Sequence, residues 1–535
     1  MTYQIDYPER LIHRLLARQV ATRPARIFLA DSRRTLSYAA TADSVARVAA
    51  GLRQAGVQAG DRVALMLPNG IEFVLFWMAC ARLSATSIFI NPDYTGEMVD
   101  YVFGDAQPCG LVTHASVVPN LQSRTDTALA GLRWICTLEE PGPWHDRRVL
   151  APEAFFDAAP LDDAEAPEGD PSAPNCVVYT SGTTGPSKGA VLSSAALLAG
   201  ACTFVELAEL TADDILFTPL PLFHGLASRQ GVMGCLIAGA RAHIGERFSA
   251  SRFWAQARAA GATLAHTMFN IPAMLKAQPA DPQERDHTLR LMYNANFDEA
   301  FETRFGVPLL ESYGLVETGI TIYAPCSRRV PGSCGRLHPD WEARIVGPDG
   351  LALPDGQSGE LWLRPRRPGL FMSGYLNKPL ATLEACRDFW FHTGDFLYRD
   401  SGGNFYFAGR QKERIRRRGE NISAWEIERV AAEHDDVRLC AAIGHPAEVG
   451  DDDVRLVLTL KAGATLAPEA LHQWLGQRLP RFMVPRYIEI VEHLPLTPTE
   501  KVRKNEVIAA GLGPTAWDAE AGGRQARAAH TATLS

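Results

Sequence analysis

The 535-residue chain has no Cys-x-x-Cys pair, no strongly apolar run of membrane length and no excess of positive charge. Its ten cysteines (Cys80, Cys109, Cys136, Cys176, Cys202, Cys235, Cys326, Cys334, Cys386 and Cys440) are scattered. That pattern argues against a disulfide framework and for reduced thiols in a cytoplasm-like compartment. Neither Cys nor His shows the spacing of a zinc site. Gly189–Val205 runs 17 residues without a charge, as long as any uncharged stretch in the chain, and is interrupted by Gly and Ser. It falls short of the roughly 20 strongly apolar residues of a membrane span and reads as a buried helix. The start, MTYQIDYPERLIHRLL, has no apolar run suited to an export signal. Lys and Arg number 53 against 61 Asp and Glu, a net charge of −8, which disfavours a general binder of nucleic acid.

The remaining composition is that of a globular protein, with 46% apolar and 21% charged residues. At about 150 residues per domain, the length corresponds to three or four domains. AATADSVARVAAGLRQAG and IEFVLFWMACARL repeat apolar residues as helices do, whereas RVALMLPN and ATSIFINP read as short buried strands ended by Pro and Asn. This alternation predicts an α/β architecture with a mainly parallel sheet. Leu161–Pro174 is rich in Asp, Glu, Ala and Pro and reads as a surface connector ahead of the core strand CVVYT. Near Gly409 the pattern breaks into the basic run RQKERIRRRGE. Beyond it, strands VRLCAAIGHP, VRLVLTLK and RYIEIVEHLP with helices EIERVAAEH and PEALHQWLGQRL suit a compact α+β lobe. The last twenty or so residues have low complexity and read as a flexible tail.

The most informative segment is VVYTSGTTGPSKG, Val177–Gly189. An apolar strand runs into hydroxyl residues, glycines and a lysine, a loop whose N–H groups, hydroxyls and positive charge suit a phosphate. The P-loop of NTPases requires G-x-x-x-x-G-K-[ST]; here Ser187 precedes Lys188 and Gly189 follows it, so that motif fails. Gly511–Ala516 matches a dinucleotide fingerprint, G-x-G-x-x-[GA], but lies in the tail and is assigned to chance.

YTSGTTGPSKGAVLS resembles the phosphate-loop signature of the adenylate-forming superfamily of acyl-CoA synthetases, adenylation domains and luciferases. Further motifs follow in that superfamily's order: PLPLFHG, ESYGLVETG, SGELWLRP, FHTGD, NFYFAGRQKERIRRRGENISAWEIE and LPLTPTEKVRK. The resemblance covers roughly residues 30–510 and is nearest to crotonobetaine/carnitine–CoA ligase-like acyl-CoA ligases. It implies a large N-terminal lobe of parallel and mixed sheets with helices (1–411), a small mobile α+β lobe (412–512) and a tail (513–535).

The same resemblance implies an ATP-dependent ligase that joins a small carboxylic acid to coenzyme A through an acyl-adenylate. The alternative keeps the adenylation and passes the acyl group to an amine or a carrier-protein thiol. Thr180, Ser181, Gly182, Thr183, Thr184 and Lys188 would hold the phosphates, and Glu317 would bind Mg2+. Tyr313 would stack on adenine within a nucleotide site that includes Asn294, Ala295, Glu311, Ser312, Gly314 and Val316. Asp395 would accept hydrogen bonds from the ribose, with Arg410 as a second ribose or phosphate contact. Lys501 would bridge the acyl carboxylate and α-phosphate; its long stem suits a residue that arrives and leaves. His224 would line the carboxylate and thiol channel as a base, gate or packing group. Gly225, Phe269, Asn270, Tyr293 and Leu315 would line the acyl pocket with it.

Arg410, Lys412, Arg414, Arg416, Arg417 and Arg418 place six basic residues in nine, which read in isolation suggests a nucleic-acid patch. The resemblance instead makes Lys412 a hinge and gives Arg418, Gly419 and Glu420 to coenzyme A; the other arginines are open between its phosphates and solvent. Several positions depart from the family pattern. Ser187 replaces a proline, Val316 a common threonine, Asn294 and Asn296 a small Gly-Ala segment, and Glu500 the glycine before the catalytic lysine.

Overall fold

The computed structural model describes residues 5–122, 128–140, 142, 144, 148–180, 187–268, 271–293, 296–410, 414–417, 420–447, 452–497 and 500–521. The chain divides into two compact units. The first comprises 1–267, 282–342 and 364–391, and the second 268–281, 343–363 and 392–535.

The first unit is built on two large sheets. One has eight strands, in the order Gly374–Tyr375, Lys188–Ser193, Pro174–Thr180, Thr86–Phe89, Arg62–Met66, Gly110–His114, Trp134–Leu138 and Val149–Leu150. From Pro174–Thr180 to Val149–Leu150 every pairing is parallel. The two strands at the other edge pair antiparallel. The second sheet has seven strands, running from Leu309–Leu310 through Leu291–Tyr293, Leu264–His266, Ile215–Thr218, Arg241–Ile244 and Ile27–Ala30 to Thr35–Ser37. Strands buried on both faces are largely apolar, as Val63–Met66 and Ile88–Phe89 are; the polar members of these two strands are Arg62 at one end and the small Thr86 and Ser87. The helix Ile71–Arg82 is apolar on nearly every side and buries Ile71 and all of Phe73–Cys80, as a helix enclosed by other layers does.

A difference from the sequence expectation lies at Gly189–Val205. Lys188–Ser193 is a strand, and the buried helix begins at Ser194 and ends at Leu207. The Ser193 hydroxyl accepts the Ala196 N–H at 3.2 Å and caps the helix, so a serine inside the apolar run marks the change of element. Asn69, just past Arg62–Met66, ties the two sheets together. Its Nδ2 donates to the carbonyls of Leu220 and Gly245 at 2.8 Å, and its Oδ1 accepts the Leu222 N–H. The segment leading to His224 is thereby anchored at both edges of the asparagine amide.

The second unit holds most of a four-stranded sheet (Trp341–Val346, Gly359–Pro365, Phe391–Arg399, Phe405–Arg410). It also holds the hairpin Arg414–Arg417/Glu420–Ser423 and an α+β layer. In that layer Val437–Pro446, Asp452–Leu460, Tyr487–Ile490 and Trp517–Asp518 form one sheet. Its helices Ala424–Ala432 and Pro468–Gly476 bury Ile427, Val430, Leu471 and Leu475. Trp517–Asp518, inside the segment expected to be a tail, pairs antiparallel with Tyr487–Ile490. Arg486 holds Asp518 there through an ion pair at 3.1 Å. No described helix is long and apolar enough to cross a membrane.

Candidate active site

In the first unit the strand Pro174–Thr180 leads to the glycine-rich loop. Ser181, Gly182, Thr183 and Thr184 lie outside the described residues, but the ends of the loop are defined: Thr180 and Lys188 are cross-strand partners. The Tyr101 hydroxyl donates to the Ser187 carbonyl at 2.6 Å. The Lys188 Nζ stands 5.0 Å from the centre of the Tyr375 ring. Tyr375 itself is delivered by the edge strand Gly374–Tyr375, where it pairs with Ala190. Its hydroxyl donates to Glu317 Oε1 at 2.8 Å. Burial first, then the Glu317 charge, pushes the Tyr375 phenol well above its ordinary pKa, so it remains a donor. Tyr375 was not picked out in the sequence. It lies 58 residues from Glu317, and the tertiary fold brings them together.

Glu317 sits at the turn of a tight hairpin, Tyr313–Leu315 with Gly319–Tyr323. The Thr318 hydroxyl accepts the Leu315 N–H at 3.3 Å and closes the turn. A Cβ on Gly314 would lie 2.3 Å from the Gly319 carbonyl oxygen, so only glycine allows the strands to approach this closely. The Met372 N–H donates to the Glu317 carbonyl at 2.8 Å, and the glutamate is 9% exposed. Tyr313, expected to stack on adenine, is buried in the first strand of this hairpin. Ser312 meets the Tyr293 hydroxyl at 2.8 Å, and Tyr293 is enclosed by Phe204 and His266. Glu311 accepts the Phe297 N–H at 2.7 Å; burial pushes its carboxyl up to about 7, against that hydrogen bond and the pull of Arg329. Asn294 and Ala295 lie outside the described residues.

His224 opens the segment that becomes the π-helical turn Leu226–Val232. Its Nδ1 accepts the Leu226 N–H at 3.4 Å, a contact consistent with a proton on Nε2. Gly225 is buried, and Val316 and Leu315 are half-buried at the hairpin turn. His266, fully buried behind Tyr293, is pushed down to about 3 by desolvation and the neighbouring His224. Phe269 and Asn270 lie outside the described residues.

The second unit carries the other expected residues. Asp395 and Arg410 are cross-strand partners, with Arg410 Nε 3.1 Å from Asp395 Oδ1. The two residues assigned to the ribose thus form one charged pair, Asp395 being 3% exposed. Lys501 is exposed at the end of a turn in which its N–H donates to the Thr497 hydroxyl at 3.0 Å and its carbonyl accepts the Thr497 N–H at 2.7 Å. Glu500, standing in place of a glycine, has φ +60, a left-handed conformation that strains a side-chain-bearing residue. Lys412, Arg418 and Gly419 lie outside the described residues, and of Glu420 the backbone alone is described, as the first residue of a strand. Arg417 takes neither course left open for the arginines of the basic run. It is buried, with Nε 3.1 Å from Asp453 and Nη1 donating to the carbonyls of Phe482 and Val484.

Comparison with known proteins gives concordant results. The AMP-binding enzyme family profile matches residues 16–376, and that of the AMP-binding enzyme C-terminal domain matches 426–501. The crotonobetaine/carnitine–CoA ligase of Shigella flexneri is 32% identical over 466 residues, 84% of this chain and 89% of that protein. ATP-bound MatB from Rhodopseudomonas palustris superposes with a TM-score of 0.81 at 26% identity, covering 93% of this chain and 98% of that one. The anthranilate CoA ligase AuaEII, solved with anthranoyl-AMP, has a TM-score of 0.86 at 22% identity and shares the fold over 94% of this chain and 97% of its own.

Proposed function

The chain belongs to the AMP-binding enzyme family, and on that premise we propose that it is an ATP-dependent carboxylic acid–CoA ligase working through an acyl-adenylate. The observation that carries the reading is the grouping of Glu317, Tyr375 and Lys188, a carboxylate and a cation joined across one aromatic side chain beside the glycine-rich loop. A triphosphate needs such opposed groups, one to place its counter-cation and one to meet its own charge.

Magnesium fits this donor set. Among the described residues no three His, Cys, Asp or Glu side chains cluster as a metal cage. Glu317 offers a hard carboxylate whose Oε1 is oriented by Tyr375, as suits a cation that keeps water and phosphate oxygens. Bound with ATP, magnesium supplies charge neutralisation at the β- and γ-phosphates. Lys188 adds a second positive charge at the loop, and Asp395 with Arg410 receives the ribose. Lys501 draws the acid's carboxylate to the α-phosphate. The carboxylate oxygen forms a bond to phosphorus as the bond to pyrophosphate breaks. The coenzyme A thiol then loses its proton, its sulfur attacks the acyl carbon, and AMP leaves. His224, half-buried, is the residue assigned to the channel for that thiol.

ATP–pyrophosphate exchange across a panel of carboxylic acids, followed by addition of coenzyme A and mass analysis, tests the proposal. The expected product is an acyl-CoA thioester. Product formed only when an amine or a pantetheinylated carrier is supplied would overturn the choice of acceptor. Lys501→Ala is expected to reduce exchange by 100-fold or more, on the order of 3 kcal/mol in the first barrier. It is expected to leave thioester formation from supplied acyl-adenylate within about threefold of the parent, a difference of under 1 kcal/mol.

A further inference from the structure

The turn that carries Glu317 rests on a buried cation. Arg229 lies within the π-helical turn Leu226–Val232 and is 4% exposed. Its Nη1 donates to the Val316 carbonyl at 2.6 Å and its Nη2 to the Leu315 carbonyl at 3.2 Å. These are the two carbonyls immediately before Glu317. The Nε–H has no hydrogen-bond partner among the described residues. The Gly225 backbone lies in ordinary van der Waals range of the guanidinium, since a Cβ built on it would stand 3.6 Å from Cζ, Nε and Nη2. Burial lowers the Arg229 pKa, while Cys176, Glu317 and Tyr293 favour its charge.

A guanidinium removed from water and met, among the described residues, by two carbonyls is an expensive way to fill space; an apolar side chain of similar volume would serve stability better. Its geometry serves another end. The two donors engage consecutive peptide groups and fix the planes that set the direction of the Glu317 Cα–Cβ bond. The Met372 N–H holds the next carbonyl, and Tyr375 holds the carboxylate itself. The π-helical turn, with an additional residue per turn, is a local irregularity of a kind that recurs at functional sites.

We propose that Arg229 is a positioning residue for the adenylation half-reaction: by holding the Leu315 and Val316 carbonyls it presents Glu317 already oriented to the magnesium–triphosphate. The proposal rests on the assignment of Glu317 to that cation. It gives a purpose to the one charged residue of the buried turn Leu226–Val232, and it locates support for the Glu317 turn in the backbone, where Val316 carries no hydroxyl.

Two readouts test it, the dissociation constant of Mg–ATP by calorimetry and the two half-reactions measured separately. Arg229→Met is expected to weaken Mg–ATP binding tenfold or more and to slow ATP–pyrophosphate exchange. Thioester formation from supplied acyl-adenylate should stay within about twofold, which also reports a folded enzyme. Arg229→Lys, with charge but no fork, should recover part of the binding. Arg229→Met combined with Glu317→Gln should be no worse than Glu317→Gln alone, because both act on one contact. Should the methionine variant fail to unfold cooperatively, Arg229→Gln, which keeps a donor without charge, is read in its place. Unchanged Mg–ATP binding in the Arg229 variants alongside a defective Glu317→Gln would overturn the positioning role alone, as would equal loss in both half-reactions. Unchanged binding in Glu317→Gln would overturn the underlying assignment as well.

Discussion

Glu311 holds a proton where most carboxylates have lost theirs. Its environment raises the pKa from 4.5 to about 7. The folded chain therefore binds a proton between pH 4.5 and 7 that the unfolded chain lacks. The resulting stabilisation is full below about pH 4.5 and lost as pH rises to about 7, on the order of 3 kcal/mol. His266 acts with the opposite sign, since its depressed pKa costs stability as pH falls from 6.5 to about 3, a range that overlaps that of Glu311. The difference between parent and variant isolates the carboxyl. In Glu311→Gln, which keeps an acceptor for the Phe297 N–H, that Glu311-linked pH dependence should be absent. Urea unfolding of both proteins at about pH 5 and pH 7.5 measures it; parallel pH dependences would refute the assigned burial cost. At this scale the sequence exposed the residues that sit inside motifs, Glu311 and Glu317 among them. Tyr375 and Arg229 escaped because their partners are carbonyls and carboxylates far along the chain, and no local pattern announces a contact made by tertiary pairing.

The hairpin Tyr313–Leu315/Gly319–Tyr323 gives its motif a mechanical meaning. The Gly in Tyr-Gly-Leu is required by the carbonyl facing it, and a backbone carbonyl cannot rotate away as a side chain can. Gly314→Ala should destabilise the chain by roughly 1–3 kcal/mol through overpacking. It should also depress ATP–pyrophosphate exchange more than tenfold, by displacing Glu317. Gly104, in the helix Glu97–Ala106, has no heavy atom within 4 Å of the position its Cβ would take. Gly104→Ala should therefore raise stability by roughly 0.5–1 kcal/mol and leave exchange alone. Denaturation midpoints and exchange rates of the two variants check both. Element types were largely legible, since buried parallel strands and enclosed helices write themselves as apolar runs. The boundary inside Gly189–Val205 was not, because strand and helix are both buried there and share one apolar run. The capping serine was the available signal.

At the scale of the whole molecule, the charged run after Gly409 shows what periodicity cannot sort. Arg417 neutralises the buried Asp453, which also meets Arg486, so one member of an apparently solvated cluster belongs to the core of the α+β layer. That partner lies 36 residues away, beyond the reach of any local pattern. Lys412, five residues earlier in the same run, is assigned a different task. In the proposed cycle Lys501 would serve adenylation and Gly419–Glu420 the acyl transfer, which needs the backbone near Lys412 to take two conformations in turn. Proline at this position fixes φ near −65° and removes the N–H, which restricts the backbone without touching either set of reacting groups. Lys412→Pro is expected to retain ATP–pyrophosphate exchange within about threefold and to lose thioester formation by 100-fold or more, a penalty of on the order of 3 kcal/mol confined to the second barrier. Lys412→Ala, which removes the charge and keeps the backbone free, should perform both half-reactions and so separates conformational restriction from the loss of a cation. Transfer at the parent rate in the proline variant would remove the hinge.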